Sequence, residues 1–296
     1  MNIDWLDLTV LGLAVALPLL VGAVLLALWG PGWWRALRRA RVLRQPFPAA
    51  WRHILRQHMP GFAQLPADVQ LQLKRHIRVL VAEKPFIGCD GLVVTDTMRV
   101  LVAAQASLLL LNRDAHYFPG LRQVLLYPGP FVVDRVQPAG AGLQREERRV
   151  LLGESWQQGQ VILSWPDVLA GAAQPGDGHN VVIHEFAHQL DQETGPANGA
   201  PWLGRGLNAA RWAAVMGTAF LGLQAQVARG EPTVLDPYAA TDPAEFFAVA
   251  SEVFFEQPQA LAAAQPAVYA ELAGLYRCDP RQWRTMGPWT AGPSWH

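Results

Sequence analysis

Asn180-Val-Val-Ile-His-Glu-Phe-Ala-His-Gln-Leu-Asp191 decides how the rest of this chain is read. Asn180 is a good helix N-cap, and the apolar run Val181-Val182-Ile183 follows it directly. Val182, Ile183, Phe186, Ala187 and Leu190 repeat at helical spacing, which predicts a buried helix. Gly195, Pro196 and Asn198-Gly199 end it and open a loop. His184 and His188 lie four apart, one above the other on the same face of that helix. Two imidazoles so placed can hold one Zn²⁺, with Glu185 in reach of a water on the metal as general base. The competing reading is two buried histidines beside a chance glutamate. The capped, apolar helix around them favours the metal.

A catalytic zinc needs a third protein ligand. Asp236-Pro-Tyr-Ala-Ala-Thr-Asp-Pro-Ala-Glu245 leads into a second apolar helix, with Asp242 as N-cap and Pro243 at its first position. Glu245 and Glu252 are seven apart and share a face, so either can reach a metal. Asp242-x-x-Glu245 also has the spacing of a capping box, in which Glu245 bonds only backbone. Glu252 can equally be a carboxylate that orients a histidine, or part of a solvated face. Spacing does not choose between them. Asp191 can orient His188 or simply end the helix. Tyr238 can donate to an oxyanion or serve in packing.

Outside this region the chain is informative mainly at its start. It has 296 residues, 51% hydrophobic and 16% charged, with zero formal net charge. Cys89 and Cys278 are far apart, which is no disulfide framework and fits a reducing compartment. Leu8 to Trp29 carries no charge, and about 20 such residues span a bilayer as a helix. Asp4 and Asp7 precede the run and Trp33-Trp34-Arg35 follow it, the pattern of an anchor rather than a cleaved signal. Arg35, Arg38, Arg39, Arg41, Arg44, Arg52 and Arg56 come next. The positive-inside rule then puts the C-terminal bulk in the cytoplasm. Of the 24 basic residues 17 lie outside that cluster, and of the 24 acidic ones 22 lie outside Asp4 and Asp7. The remaining body is mildly acidic, at odds with a nucleic-acid partner.

The expected organisation is a short extracytoplasmic N-terminus (1–7), a transmembrane anchor (8–29), a basic juxtamembrane linker (30–56) and a peptidase domain (57–296). Within the last, helices are expected over Ala67–Glu83 and Thr97–Leu111. Strands are expected over Gly91–Thr95, Leu121–Tyr127 and Phe131–Val136, and over Gly159–Trp165. That last strand either lines the cleft, offering an open edge to an extended substrate, or lies in the core.

Several segments together resemble one family. They are His184-Glu-Phe-Ala-His-Gln-Leu-Asp191, Asn198-Gly-Ala-Pro201, Leu152-Gly-Glu-Ser-Trp156, Gly159-Gln-Val-Ile-Leu-Ser-Trp165, Asp236 to Ala248, and Tyr276-Arg-Cys-Asp-Pro280. From about Pro46 onward the chain is similar to the Mlc titration factor A family of zinc peptidases, whose catalytic core is similar to that of anthrax lethal factor. The resemblance implies an α+β zincin-like domain of gluzincin type, with one Zn²⁺ per chain on His184, His188 and Glu245. It implies Glu185 as general base and Tyr238 as oxyanion donor. It also implies a peptide or protein substrate, with aminopeptidase action on small substrates, and a cytoplasmic transcriptional regulator as partner. The best-known members lack an anchor. The expected location here is the inner membrane, single-pass, with the bilayer contacted through residues 8–29 and the catalytic domain in the cytoplasm. A rival expectation is a zinc protein that sequesters a regulator and cleaves weakly or not at all.

Overall fold

The computed structural model describes Leu19 and residues 32–283, apart from 114–115, 130, 140–142, 152, 157–158 and 205. Over 131–151 and 153–156 it describes backbone only. The expected span over 8–29 lies outside the described residues except for Leu19. No helix among the described residues is long and apolar enough to cross a membrane.

The chain divides into two units, 1–46 and 47–296. In the first, residues 32–44 form a helix (α1) that exposes Arg35, Arg38, Arg41 and Arg44. The second begins ahead of the boundary drawn at 57. Its first helix, α2 (Ala49–His58), buries Leu55 completely, and Trp51 Nε1 donates to Asp96 at 3.2 Å. Part of the stretch expected as linker is therefore body.

The larger unit is mostly helical with a small sheet. The elements run α3 (Ala67–Glu83), β1 (Phe86–Gly88), α4 (Asp96–Leu108), β2 (Gln123–Tyr127), β3 (Phe131–Ala139), β4 (Leu143–Leu151), β5 (Gly153–Trp156) and β6 (Gln160–Ser164). They continue α5 (Trp165–Ala173), α6 (Val181–Asp191), α7 (Ala209–Ala228), α8 (Pro243–Glu256), α9 (Pro258–Ala264) and α10 (Pro266–Tyr276). The sheet order is β1-β2-β6-β5, with β1, β2 and β6 parallel and β5 antiparallel at the edge. β3 and β4 form a separate hairpin.

Helix α6 sits centrally, packed against α8, α4, α5, β5 and β6. Its apolar residues Val182, Ile183, Phe186, Ala187 and Leu190 are all buried, and Phe186 meets Phe118 edge-on at 4.8 Å. Full burial of such side chains stabilises by roughly 1.5–3 kcal/mol each, so the helix bearing the histidines is among the most firmly held parts of the fold.

One expected strand is corrected, and the choice left open for another is decided. Gly91–Thr95 is not a strand. The pairing slot beside β2 is filled by Phe86–Gly88, Val93 is 80% exposed, and Thr95 is used as the N-cap of α4. The Gly159–Trp165 strand is a core strand and not an open edge. β6 lies between β2 and β5 with Val161 and Leu163 fully buried, and Trp165 already starts α5. The edge strand beside α6 is β5.

Candidate active site

Asn180 caps α6 as its sequence predicts, its side-chain oxygen accepting from Ile183 N–H at 3.1 Å. Four residues on, the imidazole of His184 faces that of His188, their Nε2 atoms 3.2 Å apart. Asp242 caps α8 and accepts from both Ala244 and Glu245 N–H, so the turn that carries Glu245 is fixed from its own start. The Glu245 carboxylate does not close a capping box. Its Oε2 lies 3.1 Å from His184 Nε2 and 3.4 Å from His188 Nε2.

These three ligand atoms form a compact triangle. His184, His188 and Glu245 are the group among the described residues that could hold a metal ion, with ligand atoms within 4.8 Å of one another. In tetrahedral zinc sites, bonds of about 2.0–2.1 Å put neighbouring ligand atoms about 3.3 Å apart. The triangle's edges of 3.1, 3.2 and 3.4 Å fit that requirement without rearrangement. The donor set, two imidazoles and a carboxylate, suits zinc.

The electrostatics also suit a cation. Burial opposes a charge on His184, yet Glu252, Glu245 and Glu185 around it hold its pKa well above the ordinary imidazole value. Burial equally opposes charge on Glu245, but hydrogen bonds from His184 and His188 pull its carboxyl far below the usual range. Glu185 is itself 1% exposed. Three carboxylates thus converge on two imidazoles in a largely dry place, where electrostatic interactions are strong.

Glu252 does not join the triangle. Its Oε1 accepts from His184 Nδ1 at 2.7 Å and its Oε2 from Asn180 N–H at 2.7 Å. A carboxylate on Nδ1 fixes the ring's orientation and tautomer and leaves Nε2 directed at the triangle. Tyr238, 39% exposed in the 3-10 turn Pro237–Ala240 before α8, donates its hydroxyl to Glu245 Oε1 at 3.0 Å. Asp191 is placed differently from the histidine-orienting role. Its Oδ2 accepts from Asn198 N–H at 2.8 Å and Gly199 N–H at 2.7 Å, tying the following loop to the end of α6. Neither histidine donates a hydrogen bond to it among the described residues.

One participant escapes the sequence reading. Glu256, one turn beyond Glu252, accepts from Asn180 Nδ2 at 3.1 Å and from Gly176 N–H at 2.6 Å. The two carboxylates together grip the residue that starts the histidine helix. The available signal was a pair of acids four apart inside the Phe246–Glu256 run, which is apolar apart from them and Ser251.

A helix bearing His-Glu-x-x-His, packed directly against a second buried helix that supplies a glutamate, defines a metallopeptidase site. The chain belongs to the glucose-regulated metallo-peptidase M90 family, whose sequence profile matches residues 33–277. It is 38% identical to "Uncharacterized protein slr2042" of Synechocystis sp. over 268 residues, 90% of this chain and 97% of that one. It is 34% identical to Mlc titration factor A of Yersinia enterocolitica over 235 residues, 78% of this chain and 86% of that one. The Mlc titration factor A of Salmonella agona is 35% identical over 227 residues, covering 76% and 84%.

Proposed function

We propose that this protein is a membrane-anchored zinc metallopeptidase of gluzincin type, with His184, His188 and Glu245 holding one Zn²⁺. The observation that carries this reading is the triangle of ligand atoms 3.1–3.4 Å apart with Glu185 one residue after His184. Zinc there would supply a Lewis acid that polarises the scissile carbonyl and acidifies water. Glu185 takes the proton of the attacking water and returns it to the leaving amine. The Tyr238 hydroxyl, already within hydrogen-bond distance of Glu245, turns to the developing oxyanion. Glu252 keeps His184 aimed throughout. The position of β5, an edge strand among the described residues that packs beside α6, supports an extended peptide added as a further strand. Aminopeptidase action on small substrates is the expectation taken from the family.

The test uses the full chain loaded with zinc and a mixed peptide library. Glu185→Gln should retain one zinc per chain while turnover falls by at least about 10²-fold. A variant that cleaves at the wild-type rate sinks the reading.

The anchor belongs to the same proposal. The uncharged run over 8–29 and the exposed arginines of α1 support a single span in the inner membrane, with 1–7 outside and the body cytoplasmic. Alkaline carbonate should leave the full chain in the membrane pellet and release a variant lacking 8–29. Full-length protein in the supernatant refutes the anchor.

The name carried by the Yersinia and Salmonella relatives favours a second reading, in which this chain binds and sequesters a cytoplasmic transcriptional regulator. Retention of all cellular function by Glu185→Gln would favour it.

A further inference from the structure

The loop after α6 and the first turn of α8 border an open groove of about 510 Å³. Trp202, Leu207, Trp212, Met216, Phe220 and Phe246 give it its character, and no charged side chain lines it among the described residues. Its volume falls in the range of ligand sites, roughly 300–1,000 Å³. The groove is built from the two segments that carry the site. One wall is the loop Asn198–Gly204, whose first amides are held by Asp191, three residues after His188. Another is the first turn of α8, where Pro243 and Phe246 flank Glu245. The third is α7.

Three ties make the groove a preformed feature. Gly199 accepts at its carbonyl from Trp212 Nε1 at 2.9 Å. Its φ of +76° is a conformation natural to glycine, and a side chain there would overlap the Pro243 carbonyl oxygen. Phe220 packs edge-on against Phe246 at 5.9 Å. Loop, α7 and the Glu245 turn therefore hold one another.

We propose that the groove is the specificity subsite, which accepts a bulky apolar side chain of a peptide substrate close to the scissile bond. The proposal rests on the metallopeptidase reading above and names its substrate class. Continuity with the metal group through Asp191 and the first turn of α8 argues for a substrate segment. The uncharged lining excludes an acidic or basic side chain, since burying an unpaired charge is strongly unfavourable.

The test is a matched peptide series, with Phe, Leu, Ala, Gly, Asp or Lys at each position around the cleaved bond. It is run on the zinc-loaded full chain and on two groove variants, Ala213→Phe and Ala213→Glu. Ala213 is an exposed residue of α7 that lines the groove, so neither change disturbs the core. Ala214→Phe, exposed and outside the groove lining, is the control. In parallel, binding of the same peptides to Glu185→Gln protein, with and without the Ala213 changes, is measured calorimetrically.

At one position, Phe or Leu should exceed Gly by about tenfold or more in kcat/KM. Both Ala213 variants should erase that preference through KM, and Ala214→Phe should keep it. Cleavage with no apolar preference at any position, or a preference untouched by both variants, overturns the subsite and leaves the peptidase reading standing. No cleavage by wild type, combined with apolar-selective binding that Ala213→Glu abolishes, overturns the peptidase reading and keeps the groove as a peptide site. Concentration-dependent dimerisation lost in Ala213→Glu, with no peptide selectivity, assigns the groove to a second copy of the chain and overturns the proposal.

Discussion

The two ends of α8 carry chemically similar groups in opposite settings. At its start, Glu245 meets the part-exposed Tyr238, and its sequence neighbours Pro243 and Phe246 line the groove. Toward its end, Glu252 and Glu256 are buried and committed to α6 through His184 and Asn180, and to the loop before it through Gly176. In the proposed reaction, the first end holds the groups that act on zinc and substrate. The second holds groups whose partners are fixed. A reactive carboxylate must be free to move or bind, whereas a buried one left without partners costs several kcal/mol. One helix thus gives the site its reactive corner and its rigid frame.

The contrast can be tested from the largest effect to the smallest. Glu245→Ala should abolish zinc retention and turnover together, while the melting temperature of the metal-free protein changes little. Zinc content by atomic emission and a thermal melt check this, and retained zinc would show that the two ends have been assigned wrongly. Tyr238→Phe should lower kcat by about 10²-fold with zinc content unchanged, as measured by steady-state kinetics. Glu252→Ala should weaken zinc binding by about 10–100-fold in chelator competition. It should also destabilise the fold by about 2–4 kcal/mol in denaturant melts, because His184 Nδ1 and Asn180 N–H both lose their acceptor. Glu256→Gln keeps an acceptor for Asn180 or Gly176 and should cost about 1 kcal/mol, with zinc affinity within a few-fold of wild type. If Glu256→Gln weakened zinc as strongly as Glu252→Ala, the frame would be one cooperative unit rather than two separable grips.

Reading the sequence succeeded where the signal is local. The caps Asn180 and Asp242, the helix over 67–83, most of the helix expected over 97–111 (which ends at Leu108), and the buried face of α6 all follow from spacings of three and four residues. It failed where the signal is spread over the fold. α7 shows no usable stripe, since apolar residues occur around its whole circumference, and only Trp212, Met216 and Leu223 are buried. β1 is three residues long, too short to display alternation, so the nearby Gly91–Thr95 run drew the strand assignment instead. Whether β6 has an open edge depends on β5 returning beside it, which no pattern within β6 records.

The same division runs through the site. The sequence by itself determined that His184 and His188 share a helical face, that Glu185 accompanies them, and that α8 begins at Asp242-Pro243. These are relations within one or two turns of a single helix. It left Glu245 and Glu252 equivalent, because seven residues are close to two full turns and bring both to the same face, about 10.5 Å apart along the axis. The packing of α8 on α6 separates them. The His184 ring lies between the two carboxylates, with Glu245 on the Nε2 side and Glu252 on the Nδ1 side. A ring has two nitrogens on different edges, and only the placement of one helix against another fixes which carboxylate meets which.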